Sequence, residues 1–102
     1  MTKGERNQLA DKVFNECKVI LAKKGADYAG DDDALHNFKT LAERLGITKY
    51  QVWAIYFNKH IEAVNNSIKH NPEAPERQAE SLDESIKDII NYSIIFKALL
   101  SE

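Results

Sequence analysis

Residues 48–70, TKYQVWAIYFNKHIEAVNNSIKH, decide the fold class of this chain. Their apolar side chains recur at three- and four-residue steps, which is the period of an amphipathic α-helix. Thr48 and Gln51 have the spacing of a capping box, so the helix is predicted to begin directly after Thr48. Asn71-Pro72 predicts its end near His70. The apolar stripe consists of Tyr50, Ala54, Phe57, Ile61, Val64 and Ile68, with Trp53 beside it.

Two helices are predicted on the N-terminal side of this segment. Residues 5–24 show the same helical period, and Gly25 predicts the end of the first helix. Asp33 is placed to cap the N-terminus of a second helix, and Gly46 is predicted to terminate it. Nothing in the chain alternates with the two-residue period of a strand. We therefore predict an all-α fold of four main helices in a single domain that spans residues 1–102.

The fourth predicted helix follows a polar loop and has an unusually wide apolar surface. Residues 71–80 contain both prolines and four charges, and are predicted to form a mobile loop. Ser81 and Glu84 then have capping-box spacing. The helix that follows has more apolar surface than one partner helix covers, so we expect a homo-oligomer to form through it. The residues expected to contribute to that contact are Ile90, Ile94, Leu99 and Leu100.

Composition excludes several classes of protein. The formal net charge of −2 argues against general nucleic-acid binding, which needs a basic surface. No apolar run approaches the roughly 18 residues that span a bilayer, so no membrane partner is expected. The single cysteine, Cys17, cannot form an internal disulfide, and the N-terminus has no apolar signal region. These features predict a cytoplasmic protein.

The first group of candidate site residues lies between the first two helices. The run KGADYAGDDD, residues 24–33, is followed by Asn37 and Phe38. Glycines let backbone amides turn toward a ligand, lysine supplies charge, tyrosine a flat ring, and asparagine an amide that can read a base edge. These are components of a nucleotide pocket. The alternative is a polar turn in which Tyr28 and Phe38 belong to the core. The candidate ligand-binding residues here are Lys24, Asp27, Tyr28, Gly30, Asn37 and Phe38.

The second group is a ladder of acids on the fourth helix. Glu80, Glu84, Asp88 and Asn91 follow one another at four- and three-residue steps, which places them on one helix face. Stacked like charges destabilise a helix, so a cation is expected to compensate them. Magnesium would suit the three acids, since it prefers oxygen ligands. The alternative is structural: Glu84 closes the capping box, while ion pairs join Asp83 to Lys87 and Asp88 to Lys59.

The third group lies on the third helix, where Lys59, His60 and Glu62 interrupt the apolar stripe. Lys59 could hold a phosphate or form a structural ion pair with the acid ladder. The three histidines lack neighbours at zinc-ligand spacing, so no zinc site is predicted, and His60 is expected to be partly buried. Cys17 lies on an apolar helix face, which predicts inert packing.

These groups together resemble the family called nucleotide modification associated domain 1, found in phages and bacteria. The resemblance covers about residues 10 to 100 and includes the 24–33 run, Asn37-Phe38, Lys59, and a C-terminal block. Residues of that block are Glu80, Ser81, Leu82, Glu84, Asp88, Asn91 and Tyr92. The family looks like a helical relative of the MazG-type nucleoside triphosphate pyrophosphatases, which implies a phage protein of nucleotide metabolism in the host cytoplasm.

The chain departs from that resemblance at two places. Glu62 stands where such family members tend to have an arginine, and the paired-glutamate motif that the pyrophosphatases place on a preceding helix is missing. One hypothesis is a magnesium-dependent hydrolase that cleaves a nucleoside triphosphate to monophosphate and pyrophosphate. Glu84 and Asp88 would be its catalytic residues, Glu80 a further metal ligand, and Lys24, Lys59, Asn91 and Tyr92 part of the nucleotide site.

Two alternatives belong to other functional classes. The first is a non-catalytic protein that sequesters a nucleotide, for example a host signalling nucleotide, in the same pocket. The second is a helical adaptor that binds another protein through the wide apolar face of the fourth helix. The number of converging acids separates hydrolysis from binding, since two-metal phosphoryl chemistry needs several carboxylates.

Overall fold

A computed structural model describes residues 1–27, 32–75 and 82–102 of the chain, without the side chains of residues 25–27. These residues form four α-helices and no strand: α1 (Lys3–Asp27), α2 (His36–Leu45), α3 (Lys49–His70) and α4 (Leu82–Leu100). The all-α prediction is confirmed. The predicted loop at 71–80 lies partly outside the described residues. In the described part of the chain, no helix is both long enough and apolar enough to cross a membrane.

The start of α3 and the end of α2 follow the predicted local signals. The Thr48 hydroxyl accepts a hydrogen bond from the backbone N–H of Gln51 at 3.1 Å, and the Thr48 N–H donates to the Gln51 side chain at 2.8 Å. Gly46 has a φ of 67°, the left-handed conformation in which glycine avoids a Cβ clash. The capping box and the glycine cap are both confirmed, and α3 ends at His70 as expected.

Two predicted helix boundaries are wrong. The first helix continues through Gly25 to Asp27, because one glycine costs a helix only about 1 kcal/mol and does not by itself stop it. Asp33 is not the N-cap of α2; that position belongs to Leu35, which makes no side-chain cap. Asp33 instead accepts the backbone N–H of Leu35 at 2.9 Å in a turn ahead of the helix. The capping box predicted at Ser81 lies outside the described residues.

Helix α4 occupies the middle of the arrangement. It packs against α1 and against α3, and α2 packs against α3. Tyr50 near the start of α3 contacts Phe96 near the end of α4, so these two helices are antiparallel. Trp53 is stacked between Phe57 and Phe96, with ring centroids 4.6 and 4.3 Å apart, and its indole N–H donates to the backbone oxygen of Tyr92. This aromatic packing fixes α3 on α4.

The buried apolar core of the described residues is small. It consists of Cys17, Leu35, Ala42, Val52 and Leu99. Leu99 has no exposed surface, so it is not available for the contact between subunits that the sequence predicted for it. Ile94 and Leu100, from the same prediction, are exposed. At the C-terminal end of α4, the carboxylate of Glu102 pairs with Lys39 at 2.7 Å, which joins α2 to that end of the fold.

Thr48→Ala is expected to lower the free energy of unfolding by about 1 kcal/mol, within a range of about 0.5–2. The substitution removes the acceptor for the Gln51 N–H and leaves that donor without its cap. Chemical denaturation followed by circular dichroism measures the loss. Thr48→Ser keeps the hydroxyl and is the matched control, expected to stay near wild type. Equal losses in the two variants would contradict a capping role for the hydroxyl.

Candidate functional site

Three helices bring charged and titratable side chains together at the middle of α4. One oxygen of the Asp88 carboxylate accepts a hydrogen bond from the Lys24 ammonium at 3.3 Å. Its other oxygen lies 3.5 Å from Nδ1 of His60. Lys24 comes from the last turns of α1 and His60 from the middle of α3, so neither α1 nor α3 alone could form the site. We call these three residues the Asp88 cluster.

The Asp88 cluster is open to solvent on one side. The side chain of Lys24 is 53% exposed, whereas those of Asp88 and His60 are about a fifth exposed. A half-exposed ion pair contributes little to stability, because water already solvates both charges. The lysine is therefore free to exchange its carboxylate partner for another anion at small cost. That property suits a binding site better than a structural bridge.

Aromatic rings stand beside the Asp88 cluster. The Tyr92 ring lies 4.9 Å from the His60 ring, measured between centroids. Phe38 meets both Tyr92 and Tyr56 edge to face at 6.3 Å. Phe38 and Tyr92 are half-buried, while Tyr56 is exposed. We call Phe38, Tyr56 and Tyr92 the aromatic wall; it presents flat apolar surface next to polar groups, as ligand pockets do.

Asn91 links α4 to α1 beneath the site. It is only 4% exposed, and its amide N–H₂ donates to the backbone oxygen of Cys17 at 3.1 Å. Its side-chain oxygen has no hydrogen-bond partner among the described residues. A buried acceptor without a partner costs about 1–3 kcal/mol. Asn91, which was predicted to bind the ligand, is thus part of the interior. Its side-chain oxygen is a hydrogen-bond acceptor without a partner among the described residues.

The acid ladder is divided between two kinds of surroundings. Asp88 points into the cluster, whereas Glu84 is exposed one turn earlier on α4, and Glu80 lies outside the described residues. No group of three histidine, cysteine, aspartate or glutamate side chains that could hold a metal ion occurs in residues 1–27, 32–75 and 82–102. Magnesium binding by Glu80, Glu84 and Asp88 stays a prediction, since Glu80 is not among the described residues.

The ion pair expected between Asp88 and Lys59 is wrong. Asp88 pairs with Lys24 and His60, and Lys59 is exposed. Successive side chains of a helix point about 100° apart. Because His60 faces α4, the side chain of Lys59 points to a different side of α3. The pairing expected between Asp83 and Lys87 is confirmed at 2.8 Å. The sequence did not indicate that Lys87 also pairs with Glu16 of α1.

Hydrogen bonds from Lys87 to the carboxylates of Asp83 and Glu16 raise the pKa of its ammonium. Burial raises the pKa of the Cys17 thiol, which is almost fully enclosed between α1 and α4. A protonated thiol is a poor nucleophile, so the expectation that Cys17 packs inertly agrees with its surroundings. Both groups contribute to the contact between α1 and α4 and lie apart from the aromatic wall.

The structure brings together some of the predicted site residues and not others. Lys24 contacts Asp88, Phe38 contacts Tyr92, and His60 lies between these two pairs. Asn91 is buried against α1, and Asn37 and Lys59 are exposed. The side chain of Asp27, and Tyr28 and Gly30 entirely, lie outside the described residues. Sequence reasoning missed Tyr56 and the contact of His60 with Asp88. The four-residue step from Tyr56 to His60 could have shown that both occupy one face of α3.

Comparison of the chain with family models, with curated proteins and with solved structures finds no match. The resemblance to the nucleotide modification associated domain therefore stays a prediction from the quoted motifs.

Proposed function

We propose that this protein binds a nucleotide, seated between the aromatic wall and the Asp88 cluster. The observation that carries the proposal is the position of a half-exposed lysine, a carboxylate and an imidazole directly beside partly exposed aromatic rings. A nucleotide joins a flat base to an anionic phosphate, and so needs both kinds of surface side by side.

The aromatic wall would bind the base. An aromatic ring stacks on a base through its face, and such stacking is worth about 1–3 kcal/mol per base. Tyr56 is the most accessible ring of the wall, with 41% of its surface exposed. The exposed side chain of Asn37 precedes Phe38 in the first turn of α2 and could hydrogen-bond a base edge.

The Asp88 cluster would bind the sugar and phosphate. Lys24 can turn its ammonium from Asp88 to a phosphate oxygen, because its side chain is long and half exposed. His60 stands behind it as a second donor. Asp88, relieved of one partner, would accept a hydrogen bond from a ribose hydroxyl or a base amino group. The Lys24 ammonium would then compensate the phosphate charge, and a hydroxyl or amino group of the ligand would replace the hydrogen bond that Asp88 gives up.

Binding without hydrolysis is the function that the geometry favours. Hydrolysis of a triphosphate by metal ions needs several converging carboxylates. Of the two predicted metal ligands that the structure describes, Asp88 points into the site and Glu84 is exposed. The Lys24 ammonium already donates to one oxygen of the Asp88 carboxylate, and Nδ1 of His60 lies 3.5 Å from the other. Magnesium would have to arrive on the nucleotide's own phosphates and use Glu84 or Glu80 as further ligands. We therefore rank nucleotide sequestration above pyrophosphatase activity.

Isothermal titration with a panel of nucleoside mono-, di- and triphosphates and cyclic nucleotides, with and without magnesium, tests the proposal. At least one nucleotide is expected to bind, and Lys24→Ala is expected to weaken that binding about tenfold or more, as the loss of one charge-assisted hydrogen bond implies. Tyr56→Ala is expected to weaken it similarly through lost stacking. The bound nucleotide should be recovered intact.

Lys12→Ala is the matched control for Lys24→Ala. Lys12 is also a lysine of α1 with an exposed ion pair, here to Glu16, but it lies away from the Asp88 cluster. Its removal should leave affinity unchanged. The proposal is overturned if no nucleotide of the panel binds, or if Lys24→Ala binds as wild type does. If the protein releases pyrophosphate, and this release requires Glu84 and Asp88, its function is hydrolysis and not sequestration.

A further inference from the structure

The chain exposes more surface than a compact monomer of its size. Its accessible surface is 7736 Å², whereas about 5,800 Å² is typical of a folded monomer of 11.6 kDa. Its radius of gyration is 15.8 Å, against about 13 Å for a compact domain of this length. The difference of roughly 1,900 Å² exceeds the roughly 800 Å² that each partner of a standard interface buries. The helices therefore leave more side-chain surface uncovered than those of a compact domain do.

Helix α4 has one side that no other helix covers. Its side toward α1 carries Asn91, and its side toward α3 carries the Tyr92 backbone oxygen that Trp53 binds. The remaining side of α4, which faces neither α1 nor α3, carries three isoleucines at four-residue steps: Ile86, Ile90 and Ile94. Ile86 and Ile94 are each 45% exposed. We call these three residues the isoleucine ridge.

The uncovered surface continues from the ridge toward α1. An open, mainly apolar groove there is lined by Asn15, Glu16, Val19, Ile20 and Lys87. Lys87 belongs to the groove, and its neighbours at the next turns of α4 are Ile90 and Ile94. Val19 is 69% exposed. Ridge and groove therefore lie side by side on α4 and α1, with the Lys87–Glu16 ion pair in the lining of the groove.

The charges that border the ridge indicate what covers it. Asp83 and Lys97 lie seven residues before and after Ile90, and both border the ridge. The Asp83 carboxylate pairs with Lys87 at 2.8 Å, but its side chain is 68% exposed and can accept a second cation. Lys97 is exposed and has no ion pair within the described part of the chain. If two copies of α4 cross antiparallel about a two-fold axis at Ile90, Asp83 of each copy meets Lys97 of the other, and Ile86 meets Ile94. In this arrangement the charges of the face are self-complementary.

We propose that the protein forms a homodimer in which the isoleucine ridges of two copies pack antiparallel about a two-fold axis at Ile90. Two Asp83–Lys97 ion pairs close the ends of the ridge contact. The α1 side of each groove lies alongside the other copy's α4 and adds apolar area to the interface. The Asp88 cluster is outside this contact, so each copy keeps its own site.

Sedimentation equilibrium of the full chain tests the dimer. Wild type is expected to be dimeric at micromolar concentration, and Ile94→Lys monomeric, because a lysine at the ridge would have to be desolvated against the partner. Ile55→Lys is the matched control: Ile55 is 59% exposed on α3, away from the ridge, and its variant should stay dimeric. A monomeric wild type at high micromolar concentration, or a dimeric Ile94→Lys, overturns the proposal. Circular dichroism checks that each variant is folded.

Charge exchange tests the register. Asp83→Lys and Lys97→Asp should each weaken the dimer about tenfold, since each replaces two attractive pairs with two repulsive ones. The double variant restores opposite charges across the axis and should recover most of the affinity. If the losses of dimer affinity in the two single variants simply add up in the double variant, the antiparallel arrangement is excluded. Nucleotide affinity, measured separately, should not follow these changes.

Discussion

Leu99→Ala is expected to lower the free energy of unfolding by about 3–5 kcal/mol. Leu99 has no exposed surface and lies in the last turn of α4, where the helix closes against the rest of the fold. The substitution removes three buried carbon atoms and leaves a cavity that packed helices cannot fill by small shifts. Urea denaturation followed by circular dichroism measures the loss, which would be a large part of the stability of a domain of this size.

The neighbouring residue supplies the control. Leu100 is the same amino acid in the same helical turn, but 57% of its surface is exposed. Leu100→Ala should cost less than about 1 kcal/mol, because most of the side chain is already in water. Comparable losses for the two variants would mean that the core is not centred on Leu99.

Asn91→Asp is expected to lower the free energy of unfolding by about 3–5 kcal/mol at neutral pH, the cost of an uncompensated buried charge. The amide that donates to the Cys17 backbone oxygen would be replaced by a carboxylate that repels it. Lys87, one turn earlier, is already held by Asp83 and Glu16, so it is not free to compensate the new charge. Asp88 adds a like charge on the other side.

The pH dependence of Asn91→Asp has a definite sign. Burial raises the pKa of the introduced carboxyl above its value of about 3.9 in the unfolded chain, so the folded state binds more protons. The loss of unfolding free energy relative to wild type is therefore smallest below about pH 3.9, and it grows as pH rises toward the raised pKa of the folded state. In its neutral form the carboxyl can even donate to the Cys17 oxygen.

Thermal melts from acidic to neutral pH measure this dependence. Asn65→Asp, at an exposed position of α3, is the matched control and should show little loss at any pH. A variant at Asn91 whose deficit is constant across pH would show that the loss comes from packing and not from charge.

The sequence predicted most of the helices because the signals that form them are local. The stripe from Tyr50 to Ile68 and the capping box at Thr48 each operate within a few turns, and α3 has the predicted bounds. The errors at Gly25 and Asp33 have a local cause too. Glycine is only a weak helix breaker, and an aspartate ahead of a helix can stabilise a turn as readily as a cap.

The candidate site was harder to predict because its contacts join separate helices. The composition of the 24–33 run identified Lys24, and helical spacing identified Asp88, but neither could show that α1 and α3 both lie against α4. Whether Lys59 or His60 contacts Asp88 depends on how α3 is rotated about its own axis, because one residue corresponds to about 100° of rotation. No local sequence pattern determines that rotation. Pairing between helices is decided by the packing of the whole core.

Helix α1 packs mainly on α4, while α2, α3 and α4 share contacts among themselves. Local opening of α1 therefore breaks fewer contacts than global unfolding does, and such a unit can detach and return while the remainder stays folded. Lys24 would leave with α1, and Asp88 and His60 would stay with the larger unit. A ligand that binds both parts at once would then slow amide exchange throughout α1, far beyond the residues that it touches.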